Sequence, residues 1–216
     1  MTRKSRTVLK TGVWVVCLLP LVILAHRAYN GDLSANPISF VTNWLGQWTL
    51  RLLLASLALT PLRVLFGISW QISLRRLLGL FAFFYACLHF NVWIVLDHFF
   101  NWDQMLTDIV KRRYITVGML ALTLLVPLAV TSTSGMVKRL GGAAWRRLHR
   151  LVYVTGILAA LHFLWLAKKG RIDQYAYTAI LAFLLGIRVW DAVRRALRKR
   201  RQQQAARAPA LAEVSH

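Results

Sequence analysis

Six stretches of almost unbroken apolar residues divide the chain, at roughly 12–25, 44–62, 77–96, 115–130, 151–167 and 175–187. Several approach the ~20 residues that a bilayer-spanning helix needs; the last is short. A backbone in lipid must satisfy its own hydrogen bonds, so these runs are expected to be helices. The pattern predicts an all-α membrane protein, a six-transmembrane-helix bundle over about 11–191, followed by a basic tail at 192–216. The first run, Val13 to Ala25, leads into His26, Arg27 and Tyr29 with no small-residue cleavage site, so it reads as a retained helix. The loops are short, and the longest outer one, from Tyr29 to about Asn43, carries the turn-rich NGDLSANP.

Composition supports a membrane domain. The 216 residues are 57% hydrophobic and 16% charged, against ~45–50% and ~25% in soluble domains. The net charge of +21 suggests a nucleic-acid binder until the charges are placed. Basic residues cluster at the N-terminus (Arg3, Lys4, Arg6, Lys10), around the second connection (Arg63, Arg75, Arg76), around the fourth (Lys138, Arg139, Arg146, Arg147, Arg150) and from Arg188 to Arg207. The opposite side has Arg27, Lys111, Arg112, Arg113, Lys168, Lys169 and Arg171, with Asp32, Asp97, Asp103, Asp108 and Asp173. The positive-inside rule then places both termini in the cytoplasm. The basic excess is a topology signal, no nucleic-acid partner is expected, and the tail RRALRKRRQQQAAR is expected to lie against anionic lipid. Cys17 and Cys87 fall inside spans and read as small core hydrophobes.

Polar side chains deep in a bilayer are costly and usually functional. His162 is the one polar residue of GILAALHFLWLA (156–167), and His89 and Arg51 also lie at depth. His89 is 13 residues past Arg76, and His162 is 15 past Arg147, on spans that run the same way. At 1.5 Å per residue the two imidazoles differ in height by only ~3 Å. Two level histidines on two helices of one bundle suit the two axial positions of one haem iron, an arrangement for electron transfer rather than oxygen chemistry. Gly79, Ala82, Ala86, His89 and Trp93 form one stripe on the third span, which suits either a flat macrocycle or a packed helix.

Two further residues have two readings each. His149, 13 residues before His162, is a ligand of a second haem or a boundary histidine beside Trp145. The level partner on the third span would fall at 75–78, which reads Arg-Arg-Leu-Leu and offers no ligand. Arg51 pairs with a haem propionate or snorkels to the outer interface. His26 and His98 read as interfacial.

The chain has no Gly-rich nucleotide fingerprint and no strand-rich segment to carry one, so it is not expected to bind a nicotinamide cofactor in a Rossmann fold. Electrons must arrive from a separate reductase or a quinol and leave to a separate acceptor. A second reading is a small-solute transporter that uses the intramembrane His and Arg side chains, although no internal repeat supports it. A third is an assembly subunit with packing histidines.

RRLLGL (75–80), LHFNVW (88–93), TSTSGM (131–136), LGGAAWRRLHRLVY (140–153), ALHFLW (160–165) and TPLR (60–63) resemble the MsrQ (YedZ) family. These are haem-binding membrane subunits of the bacterial periplasmic system that repairs methionine sulfoxide in proteins. The wider group is the ferric-reductase-like transmembrane domain. The resemblance implies haem b on His89 and His162, with His149 matching an inner ligand. The matching inner position on the third span holds Arg75. It further implies an FMN, for which no residue can be singled out, and a quinol or cytoplasmic flavin reductase as donor. The implied acceptor is MsrP, a periplasmic molybdopterin enzyme, and the implied location is the bacterial inner membrane. The acidic outer loop with Asp97, Asp103 and Asp108 is expected to dock a partner.

Overall fold

The computed structural model describes residues 3–67, 70–166 and 172–214, and these form helices with no strand among them. In chain order they are α1 (Arg3–Tyr29), α2 (Pro37–Phe66), α3 (Arg75–Val92), α4 (Trp102–Lys111), α5 (Arg113–Val130), α6 (Ser134–Leu148), α7 (Leu151–Leu164) and α8 (Asp173–Val214). A 3₁₀ turn, Trp70–Leu74, precedes α3, and one π turn, Trp93–Asp97, extends it.

By length and composition, α1, α2, α3 with its π turn, α5 and α8 can cross a membrane. The fifth apolar run gives α7, only 14 residues long, or about 21 Å against the ~30 Å of a hydrocarbon core. The six expected spans thus appear as five long helices and one shorter apolar helix. Lys168, Lys169 and Arg171, which the sequence placed after that helix, lie outside the described residues.

Two elements had no counterpart in the hydropathy pattern. α4 is a short amphipathic helix capped by Asn101, whose side chain accepts from the Gln104 N–H. α6 is capped by Thr133 and broken at Gly141, whose φ of 73° suits glycine. The tail is a continuation of α8 without a break at residue 191. Its Ala, Arg, Lys and Gln residues are strong helix formers, and Arg195 pairs with Asp191 one turn earlier at 2.8 Å.

α2 is the central helix. Asn36 caps its start, Pro37 opens it, and Gly67 in the left-handed conformation ends it. Leu45, Leu50, Leu53, Leu54 and Leu57 are buried in a cluster with Phe81, Ala82 and Tyr85 of α3, Ala160 of α7 and Leu181 and Leu184 of α8. Polar clips join neighbouring helices. Tyr85 donates to the Cys17 carbonyl at 2.7 Å, and Trp44 Nε1 donates to the Pro20 carbonyl at 3.1 Å. Pro61 has no N–H for the Leu57 carbonyl one turn earlier. Arg188 of α8 supplies the missing donor at 2.5 Å. The tightest packing joins α2 to α3 and α5 to α7, and the site lies between those two pairs.

Candidate two-histidine centre

His89 on α3 and His162 on α7 both line a cavity of about 460 Å³, a size typical of ligand pockets. Their ring centres are 6.3 Å apart, with the planes at 81°. A metal–nitrogen bond of about 2 Å to each ring, plus roughly 1.1 Å from nitrogen to ring centre, puts two opposed imidazoles of one metal about 6.2 Å apart. The pair has the spacing of an axial clamp.

The two rings are held in the same way. His89 Nδ1–H donates to the Thr42 carbonyl of α2 at 2.9 Å, and His162 Nδ1–H donates to the Tyr114 carbonyl of α5 at 2.6 Å. A carbonyl only accepts, so the proton is fixed on Nδ1 and Nε2 keeps its lone pair for a metal. Four residues after each carbonyl stands a glycine, Gly46 or Gly118. A Cβ at Gly46 would lie 3.1 Å from His89 Cε1, and one at Gly118 would lie 2.8 Å from His162 Nδ1. Each imidazole therefore rests on bare helix backbone.

The rest of the cavity is graded. Leu50, Leu53, Leu122 and Leu125 line it with Ala86 and Trp93, and Asn36, Ser39, Asp97, Arg112 and Tyr114 form a polar end. The Thr155 hydroxyl, fully buried on the lining, has no protein partner among the described residues. The small-residue stripe of α3 divides between helix packing and cavity lining. Gly79 faces Ser56 of α2, whose Oγ a Cβ there would meet at 3.6 Å, whereas Ala86, His89 and Trp93 line the cavity.

The other sequence candidates lie elsewhere. Arg51 does not line the cavity; it turns toward α8, donating from Nε to the Tyr177 hydroxyl at 2.7 Å and from NH2 to Gln47 at 3.1 Å. His149 follows α6 and stacks on Trp145 with ring centres 3.9 Å apart. Thr131 donates its hydroxyl proton to the Pro127 carbonyl, so its oxygen accepts from His149 Nε2–H at 3.0 Å. Burial pushes the His149 imidazole below its ordinary value, and the Arg75 charge adds to this. His98, expected at the interface, is buried instead, because α4 folds over it and Asp108 meets its Nε2 at 3.2 Å. His26 is exposed near the end of α1 and bonded to Asn30 at 3.0 Å.

Sequence reasoning missed Thr42, Gly46, Tyr114 and Gly118. A glycine inside an apolar span, level with a histidine of another span, was the available signal. No group of three His, Cys, Asp or Glu side chains that could hold a metal forms among the described residues. A bare ion needs four or more ligands. Two imidazoles suffice for a planar prosthetic group that fills its own equatorial positions.

A helical bundle with paired histidines on its third and fifth apolar runs defines a class of membrane component. The family described as ferric reductase like transmembrane component matches residues 11–160, a span that holds His89 and His149 and ends two residues before His162. Relatives cover still more of the chain. The protein-methionine-sulfoxide reductase heme-binding subunit MsrQ of Rhodospirillum rubrum is 54% identical over 186 residues, covering 86% of this chain and 89% of the relative. The proteins of the same name from Herminiimonas arsenicoxydans and Caulobacter vibrioides are 51% and 47% identical. They cover 85% of this chain each, and 85% and 88% of their own lengths. The chain belongs to the MsrQ family of ferric-reductase-like transmembrane proteins.

Proposed function

We propose that this chain is a b-type haem electron-transfer subunit of the bacterial inner membrane. It takes electrons from the quinone pool or a cytoplasmic flavin reductase and passes them to the periplasmic reductase MsrP for repair of methionine sulfoxide. The observation that carries the reading is the pair of imidazoles 6.3 Å apart, each with its proton held on Nδ1 by a backbone carbonyl. The names of the relatives, heme-binding subunits of a methionine-sulfoxide reductase, support the assignment of haem and of the system served.

Haem supplies a one-electron couple when bound. His89 and His162 would hold it through Nε2, with the Thr42 and Tyr114 carbonyls keeping the proton of each ring on Nδ1. Both imidazoles would be used in holding the group, which suits electron transfer rather than substrate chemistry. Leu50, Leu53, Leu122 and Leu125 exclude water along the walls. The excess of basic residues at both ends of the chain supports a cytoplasmic side for both termini and for the basic part of α8. The polar end of the cavity then faces the periplasm, where the acceptor docks against the exposed carboxylates of Asp97 and Asp103; Asp108, expected with them from the sequence, is buried against His98 and Arg112 and is not part of that surface.

The reading assigns one haem. A second on His149 would require its Nε2–H to leave Thr131 and would face Arg75 rather than a ligand on α3. For the FMN implied by the family, the described cavities offer no lining lysine or arginine except Arg112, at the polar end of the two-histidine cavity, so no step here involves it.

The test is a dithionite-reduced minus oxidised spectrum with a pyridine haemochrome assay on haem-supplied protein. Wild type and His149→Ala are expected to show b-type haem, and His89→Ala and His162→Ala to lose it. Colourless wild-type protein would sink the reading and leave the transporter as the one to test.

A further inference from the structure

The polar end of the cavity carries a chain of charged groups that the histidine clamp does not use. Arg112 is the one cation among the described residues lining the cavity. Its Nε lies 3.2 Å from Asp108 Oδ1, and its NH1 donates to the Tyr114 hydroxyl at 3.3 Å. The other Asp108 oxygen meets His98, which bridges it to the Trp93 carbonyl at 3.2 Å on each side. The Asp108 side chain is 11% exposed and that of Arg112 53%. A buried carboxylate held between a guanidinium and an imidazole is expensive to place at a membrane boundary. Here it fixes the approach of α4 and the position of one guanidinium at the rim. Tyr114 joins this chain to the clamp, because its carbonyl orients His162.

A guanidinium presents a fork of N–H donors that matches a carboxylate. Asp108 takes the Nε edge of Arg112, and Tyr114 takes one bond from NH1. Asp97 also lines this end, but its carboxylate is half exposed and leans toward His98 at 3.6 Å, so water and that ring screen it. Arg51 is already committed to Tyr177 and Gln47.

We propose that Arg112 is the carboxylate-binding residue of the cavity, taking a propionate at the acidic edge of the haem, and that Asp108, braced by His98, is its positioning residue. This rests on the haem reading above. It also assigns to Arg112 the pairing that depth in the sequence suggested for Arg51.

The test uses the full chain in nanodiscs, loaded either with haem or with haem whose two propionates are methyl esters. Rates of loss to haem-free myoglobin and midpoint potentials are measured for wild type, Arg112→Gln, Arg112→Lys, Asp108→Asn and Arg51→Gln. Wild type should lose the ester about tenfold faster than haem, the low end for a hydrogen bond to a charged group at a half-exposed site. Arg112→Gln should lose both at the same fast rate and show a lower potential with haem, since a cation near the iron has gone. Arg112→Lys should restore part of the difference, Asp108→Asn should shrink it, and Arg51→Gln should leave it unchanged. The comparison is made within each variant, so a general loosening of the fold cannot imitate it. If Arg112→Gln still separates the two haems as wild type does, or Arg51→Gln abolishes the separation, the assignment is wrong. Wild-type protein that takes up no haem overturns this proposal and the haem reading together, whereas haem uptake with no role for Arg112 overturns this proposal alone.

Discussion

Gly118→Ala is the most incisive single change, because general propensity and local geometry give opposite signs for it. Alanine in the middle of a helix is normally worth about 1 kcal/mol more than glycine. At this position the added Cβ would lie 2.8 Å from His162 Nδ1 and 3.0 Å from Cε1. Ordinary contact begins near 3.4 Å, so the ring must retreat by about 0.6 Å. It cannot do so cheaply, since Nδ1–H is bonded at 2.6 Å to the Tyr114 carbonyl on the same helix turn. Losing a bond that orients a metal ligand typically costs about 10- to 100-fold in affinity. Gly118→Ala should therefore bind haem about 10- to 100-fold more weakly while keeping its helical content. Gly46→Ala should show a smaller loss, because its Cβ would meet His89 at 3.1 Å. Gly186→Ala, with nothing within 4 Å, is the control. Haem titration followed by absorbance, with circular dichroism for the fold, measures all three. Unchanged affinity in Gly118→Ala would refute the idea that bare backbone sets the ring position.

Two other predictions test the frame around the site. Arg188→Met should destabilise the bundle by about 1–3 kcal/mol, because it strands the buried Leu57 carbonyl. Pro61→Ala restores an N–H to that carbonyl, so chemical unfolding of the two single variants and the double variant should show coupling of about 1 kcal/mol, and strict additivity would contradict the capping role. The depressed pKa of His149 makes the folded state prefer the neutral ring. Its stabilising contribution is full above the ordinary value near 6.5 and is lost as pH falls toward the lowered folded value. Melting temperatures at pH 5 and 7.5 should diverge more in wild type than in His149→Gln, and equal divergence would remove His149 as the cause.

The elements and the level of the site were legible because both depend on position along the chain. Hydropathy marks where a helix crosses lipid, and counting residues from a basic flank gives depth. That reasoning located the long helices and set His89 and His162 at one height. It could not see α4 or α6, since a short amphipathic helix leaves no long apolar run. It also gave α7 the status of its neighbours, although the helix closes at Leu164. Thr42 and Tyr114 were illegible for a further reason: they act through backbone carbonyls, and no side-chain chemistry advertises that.

Arg51 shows what depth alone leaves out. Gly46 lies against the His89 ring, and on an ideal helix Arg51, five residues on, points about 140° away from it. Leu50 and Leu53, four and seven residues on, point within about 40° of it, and both line the cavity. The direction of Arg51 could thus be computed from the sequence only after Gly46 was known to face the histidine. Under the proposal above, the cation for the acidic edge is Arg112, in the connection between α4 and α5, which lines the cavity where α4 folds back over His98 and presents Asp108. Two side chains that read as loop charge and interfacial histidine are, in the fold, the brace that aims it.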